Sequence, residues 1–334
     1  MTNPNDTAHL GHRYQVLVYN ATSGSTIVAD RVQSIDPTFT ANLEKAYELG
    51  NPDPVGTATD PTEFRVAIEQ NLYGSELELL LAGKNPTSGS SFNIADFLTE
   101  LENKVYQLSR DNAGAILNEL VYEDVVLADI TWRFVQGGPC RTTFTLNGRL
   151  GKLYTSGSAP HQEWGDFDTS SPGIIKGKDA RLYLGGNAEP TNRIYRLQSF
   201  NLRATFPIQT VRELGNRELV GYLVDVPDAT LDFELLSADH QPHDVLTNLI
   251  TGYYDFNDLQ EVDGAIRLYD PDSSTQETGD VIKAWKLENL RAATGTIVRS
   301  QVRGMATTRY TLTIGKADTS NTGGVLVYVN TDLP

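Results

Sequence analysis

Cysteine is all but missing from this chain: Cys140 stands alone among 334 residues. An intrachain disulfide framework is therefore excluded, and the composition fits folding in a reducing cytosol. Long apolar runs are missing too. No stretch approaches the roughly 18 apolar residues that a membrane-spanning helix needs. The opening stretch, MTNPNDTAHLGHRYQ, has neither a basic start nor an apolar centre, so no secretory signal is expected in it. Basic charge is scarce: 27 Lys+Arg face 43 Asp+Glu, a formal net charge of −16. A surface that grips nucleic acid needs a basic footprint, so phosphate capture is disfavoured. An acidic wall past which DNA slides is a different function and stays open, beside the plainer roles of solubility or a salty habitat.

Catalytic signatures are equally sparse. The histidines are His9, His12, His161, His240 and His243. HLGH and HQPH have i,i+3 spacing, but a zinc site wants a third ligand, for which only Asp239 or Asp244 is near, and Pro242 interrupts the second pair. DPDSSTQETGD (270–280) matches the first three liganding positions of a calcium loop. It lacks the glycine at the sixth place and the glutamate at the twelfth, so it reads as an acidic surface turn. No GxGxxG or GxxxxGK[ST] phosphate loop and no serine nucleophile elbow occurs, and Cys140 has no histidine nearby in sequence. The expectation is a protein without catalytic, metal or cofactor sites.

What the chain does contain is a repeat. RVQSIDPTFTANLEKAYELGNPDPVG (31–56) lies over RLQSFNLRATFPIQTVRELGNRELVG (196–221) without a gap, and ten of the 26 positions are identical at an offset of 165. Both copies carry the same phasing slip. Leu197 sits on one parity, then Phe200, Leu202, Ala204 and Phe206 alternate on the other; Val32, then Ile35, Pro37, Phe39 and Ala41, shift identically. Such a slip predicts a β-bulge at the same place in two equivalent strands. Period-two runs follow, Phe64/Val66/Ile68 and Leu231/Phe233/Leu235, each read as a half-buried strand. Short helices are predicted next, over 75–83 and 242–252, and then threonine-rich strands over 141–148 and 307–315. Residues 323–330 are a last strand candidate.

These readings give a mainly β fold with minor α: two tandem domains, each a β-sandwich or barrel with a long hairpin and a short flanking helix. The boundaries are a flexible arm (1–12), domain 1 (13–156), a Ser/Gly/Pro-rich linker (157–172) and domain 2 (173–334). The copies differ by a predicted helical insertion at 92–108, with Ile94, Phe97, Leu98, Leu101, Val105 and Leu108 on one face, and by a polar insertion at 255–280.

A strand reading VQS or LQS, an alternating run, ELGN…VG, then a strand and short helix, resembles the tail tube proteins of long-tailed phages and related viruses. The resemblance covers most of the chain outside the arm, linker and insertions. It implies a virion structural protein, a siphovirus-type tail tube of the duplicated kind, assembled in the host cytoplasm. Three chains would close a pseudo-sixfold ring, and rings would stack into a tube with an acidic lumen for ejected DNA. Implied partners are further copies of the chain, terminator, tape measure and distal tail proteins, and viral DNA that passes without specific binding. Lumen-facing candidates are Asp36, Thr38, Thr40, Asn42 and Glu44 in copy one, and Asn201, Arg203, Thr205 and Gln209, with Pro207 on the same parity, in copy two. Exposure of these positions on an outer wall is the alternative. The repeated phrase would turn the hairpin, with Gly50 and Gly215 suited to positive φ and Asn51 and Asn216 following. Glu48, Asp53, Arg212, Glu213, Arg217 and Glu218 supply charge there for docking between rings. Two other readings remain: the tube of a contractile injection system, and a tandem β-sandwich adhesin or binding module.

Overall fold

The structure is a computed structural model. It describes residues 14–29, 31–40, 43–47, 54–59, 63–72, 74–86, 91–98, 103–110, 116–155, 175–186, 191–211, 213, 220–236, 241–250, 253–271, 280–299, 307–315 and 324–330.

The first half opens with β1 (Tyr14–Asn20) and β2 (Ser25–Val28). The hairpin follows as β3 (Val32–Thr40), β4 (Leu43–Tyr47), β5 (Pro54–Thr59) and β6 (Glu63–Asn71). Then come α1 (Glu76–Leu81), β7 (Ser91–Asn93), a 3-10 turn over Ile94–Leu98 and β8 (Asn103–Arg110). The half ends in the long strand β9 (Ile116–Val135), β10 (Arg141–Gly148) and β11 (Leu150–Thr155).

The second half repeats the plan. It runs β12 (Ala180–Leu184), then a hairpin of β13 (Leu197–Thr205), β14 (Ile208–Val211), β15 (Gly221–Val224) and β16 (Asp228–Leu236). Next are α2 (Gln241–Leu246), β17 (Thr247–Ile250), β18 (Tyr253–Leu259) and β19 (Val262–Tyr269). It closes with the long strand β20 (Val281–Arg299), β21 (Thr307–Ile314) and β22 (Val325–Val329). β3, β6 and α1 coincide with β13, β16 and α2 at an offset of 165, end for end.

The backbone irregularities repeat as well. Gln33 is skipped in the β3·β6 ladder and Gln198 in β13·β16, which is the bulge that the phasing slip predicts. The residues entering these hairpins, Arg31 (φ 55) and Arg196 (φ 59), both occupy the left-handed region. The long strands share a second device. Asp124 and Asn289 lie at φ 54, and four residues on Ala128 and Ala293 are skipped in the ladders with β10 and β21. At that point each long strand changes neighbours: β9 pairs with β8 and β11 through its first part, then with β10 and β13. A bulge and a left-handed residue supply the bend by which a strand passes from one layer to another.

The expected fold class is what the structure has: mainly β, with two short helices among the described residues, and antiparallel strands layered as in a sandwich or barrel. The central sheet runs β12-β19-β20-β21-β16-β13-β9-β10-β6-β3. Two local expectations change. The insertion at 92–108 is not an amphipathic helix but β7, a 3-10 turn and β8. β8 lies between β1 and β9, and its Val105 joins the main core while Tyr106 and Leu108 join a second cluster on another side. A strand buried on both faces loses clean alternation, and its apolar residues then imitate helical spacing. The second helix stops at Leu246, since Thr247–Ile250 pairs with β18 instead of continuing it. That also gives the polar insertion at 255–280 two strands, with β18 closing this small ladder and β19 entering the central sheet.

The residues assigned by sequence to domains 13–156 and 173–334 share one hydrophobic core. Trp132 of β9 meets Trp285 of β20 edge to face at 5.9 Å, and Phe134 stacks on Phe200 at 4.3 Å. Phe97 packs its edge on Phe206, and β7 pairs with β22, so segments of each half complete the other.

Candidate functional site

Two features distinguish the sheet: its polar face and the junction at which the halves meet. The junction is a ladder of seven pairs from Ser199↔Val135 to Thr205↔Asp129. On one face Phe200, Leu202 and Ala204 alternate into the core against Phe134, Trp132 and Ile130, all buried. On the other face Asp129 is a hub. Arg203 Nε donates to its carboxylate at 2.5 Å, Thr205 Oγ1 at 3.1 Å and Thr131 Oγ1 at 3.0 Å.

The polar face continues across the neighbouring strands. Arg141 pairs with Glu69 between β10 and β6, and Thr311 donates to Asp232 between β21 and β16. Arg65, Arg133, Arg291 and Arg309 are exposed on the same face, interleaved with Asp36, Asp228 and Glu234. Arginines and carboxylates therefore nearly balance there, with threonine between them. The chain's excess of 43 acidic over 27 basic residues resides mostly elsewhere.

The structure brings several sequence-predicted candidates together. Asp36, Thr38 and Thr40 on β3 share this face with Asn201, Arg203 and Thr205 on β13, linked through β6, β10 and β9. Gln209 is exposed on β14, in the distal part of the second hairpin, and Pro207 immediately precedes it. Glu44 lies in β4, the corresponding part of the first. β4 pairs with β5 and β14 with β15, so both hairpins are long and two-tiered. Among the tip candidates, Glu213 is exposed. Asn42, Glu48, Gly50, Asn51, Asp53, Arg212, Gly215, Asn216, Arg217 and Glu218 lie outside the described residues.

Sequence reasoning missed a fully buried ion pair. Glu78 of α1 and Lys283 of β20 form an ion pair that water does not reach, with side chains 0 % and 1 % exposed, and Trp132 Nε1 donates to Glu78 at 2.7 Å. Burial pushes the Lys283 ammonium below the ordinary lysine value, while the Glu78 carboxylate opposes that shift. The pair ties the helix of one half to the long strand of the other across 205 positions. Its only sequence signal was a glutamate inside the apolar run SELELLLAG.

No protein-family model matches the sequence, and no curated protein matches it. Among solved structures, a chain of the anti-feeding prophage baseplate, determined by cryo-electron microscopy with six-fold symmetrisation, is similar at a TM-score of 0.35 and 11 % identity. The alignment covers 45 % of this chain and 97 % of that one. A likeness of that degree carries no inference about this chain.

Proposed function

We propose that this chain is the structural unit of a viral tail tube: three copies close a pseudo-sixfold ring, rings stack, and viral DNA leaves through the channel. The observation that carries the reading is the duplicated, identically bulged hairpin, set twice in one sheet with an apolar face inward and a polar face outward. A unit repeated within a chain at near-equivalent positions is what a ring with twice as many positions as subunits requires. The polar face is the lumen wall in this proposal, and the distal hairpin parts β4–β5 and β14–β15 reach toward the next ring, with the charged tips docking there.

The electrostatics differ from the acidic lining expected from net charge. Arg203 is neutralised by Asp129 and Arg141 by Glu69, and the exposed Arg65, Arg133 and Arg309 are interleaved with Asp36, Asp228 and Glu234, so the wall meets passing phosphates with nearly balanced charge and many hydroxyls. DNA would slide for lack of attraction as much as by repulsion, and the remaining field is screened within about 8–10 Å in ordinary salt. The mechanism is passive, the protein is a virion component rather than an enzyme, and terminator, tape measure and distal tail proteins are its proposed neighbours. Electron microscopy of the purified protein tests this. Rings with six-fold-like projections, stacking into tubes, are the expected result; a monomer at every concentration and salt, with no rings, overturns it.

A further inference from the structure

The acidic excess of this chain is interrupted where the second hairpin springs from the sheet. A cavity of about 260 Å³ opens there, between a 3-10 turn over Gly177–Asp179, the start of β12 and the segment 193–199 that leads into β13. Lys178, Arg181, Arg193 and Arg196 line it, over a floor that includes the buried Phe134 and Phe200. No described carboxylate is among the lining residues.

The cations are held in place. Arg181 is buried, with its guanidinium 4.3 Å from the centre of the Tyr269 ring, and that of Arg193 lies 5.0 Å from the centre of the Tyr195 ring. Stacking of this kind fixes the plane of a guanidinium, so less entropy is lost when it grips an anion. Arg196 is the left-handed residue that enters the bulge. Lys178 follows Gly177, where a Cβ would come within 2.1 Å of the Val135 carbonyl oxygen, so the turn sits hard against the end of β9. The Asp179 carboxylate lies 3.8 Å from Lys178 Nζ, but it is buried outside the cavity lining and accepts from the Lys176 amide.

The fold itself does not ask for this charge, as the first half shows. Ala29 N donates to Val16 O and Ile194 N to Leu182 O, which sets Gln15 against Arg181 and Val28 against Arg193. Gln15 and Arg181 are almost equally buried, at 6 % and 7 % exposed, so the same place accepts a neutral side chain. Of the compared cations, only Arg196 has a cationic counterpart, Arg31.

We propose that this cavity binds a phosphate-class anion, one per chain, through Lys178, Arg181, Arg193 and Arg196. Four cations in so small a volume exceed what a single carboxylate neutralises. A phosphate group brings roughly −1.5 to −2 charges near pH 7 and three strong acceptor oxygens, which arginine forks match in pairs. The volume lies at the small end of the range for ligand pockets, which favours a compact anion over an extended acidic peptide. The same chemistry is offered by a free small phosphate and by a nucleic-acid backbone. The inference stands apart from the ring reading, and its failure would leave that reading untouched.

Pyrophosphate titrated calorimetrically into the full chain tests it. Saturable binding at one site per chain is expected, weakening as salt rises. K178Q and R193Q are each expected to weaken it at least about tenfold, the loss of one charge-assisted contact. K84Q, which removes a lysine paired with Asp96 in the first half, should bind as wild type does. Pyrophosphate should also raise the denaturation midpoint of wild type more than that of K178Q or R193Q, whose midpoints without ligand report whether each is folded. Competition by a single-stranded oligonucleotide would assign the phosphate to a nucleic-acid backbone, and its failure to compete to a free small phosphate; both agree with the site. No saturable binding, two equivalent sites per chain, or undiminished affinity in both K178Q and R193Q overturns the inference. So does an acidic peptide that binds where pyrophosphate does not.

Discussion

At the scale of single residues, the Glu78–Lys283–Trp132 cluster is where the most free energy is at risk. Two desolvated charges stabilise the fold only while both are present, since an isolated buried ion keeps the full desolvation penalty. Glu78→Gln keeps an acceptor for Trp132 but strands the ammonium, and is expected to cost about 3–5 kcal/mol in chemical denaturation. The double variant E78Q/K283M removes both charges and is expected to recover most of that loss. The pH dependence has a defined sign. Lys283 is lowered from 10.5 in the fold, so the unfolded chain holds that proton more tightly and folding releases it. Its contribution to stability therefore rises as pH climbs from the depressed folded value toward 10.5, and K283M should flatten that rise relative to wild type.

At the scale of elements, the two hairpins show how local backbone geometry fixes a shared design. Arg31 and Arg196 hold left-handed φ immediately before a bulge, a conformation that costs an ordinary L-residue roughly 1–2 kcal/mol. Glycine escapes that cost and a β-branched residue feels it most. Arg196→Gly is thus expected to be more stable than Arg196→Val by about 1–2 kcal/mol, read from the shift in denaturation midpoint. Equal stabilities would show that the bulge does not depend on that conformation. The hairpins were legible in the sequence because a bulge leaves a one-residue change of parity, and two copies displayed it together. The segment 92–108 was not, because both faces of β8 are covered and periodicity then reports burial rather than secondary structure.

At the scale of the whole molecule, the halves are duplicated in sequence but fused in packing. The β13·β9 and β7·β22 ladders, the Trp132–Trp285 contact and the Glu78–Lys283 pair all cross between them. Calorimetry and circular dichroism are expected to give one coincident unfolding transition; two separated transitions would show that the shared core is not energetically coupled.

The sequence by itself determined the mainly β class, the duplication at an offset of 165, the paired bulges and the polar positions of β3 and β13, because each leaves a mark in local order: a period, a slip or a repeated phrase. Tertiary structure decided the rest. Which half's strand lies beside which, that Glu78 finds Lys283, that the polar face balances its charge and that Phe39 is left bare depend on residues far apart in the chain. Contacts at such separations leave no periodic trace in the sequence, since only the fold brings their partners within reach of one another.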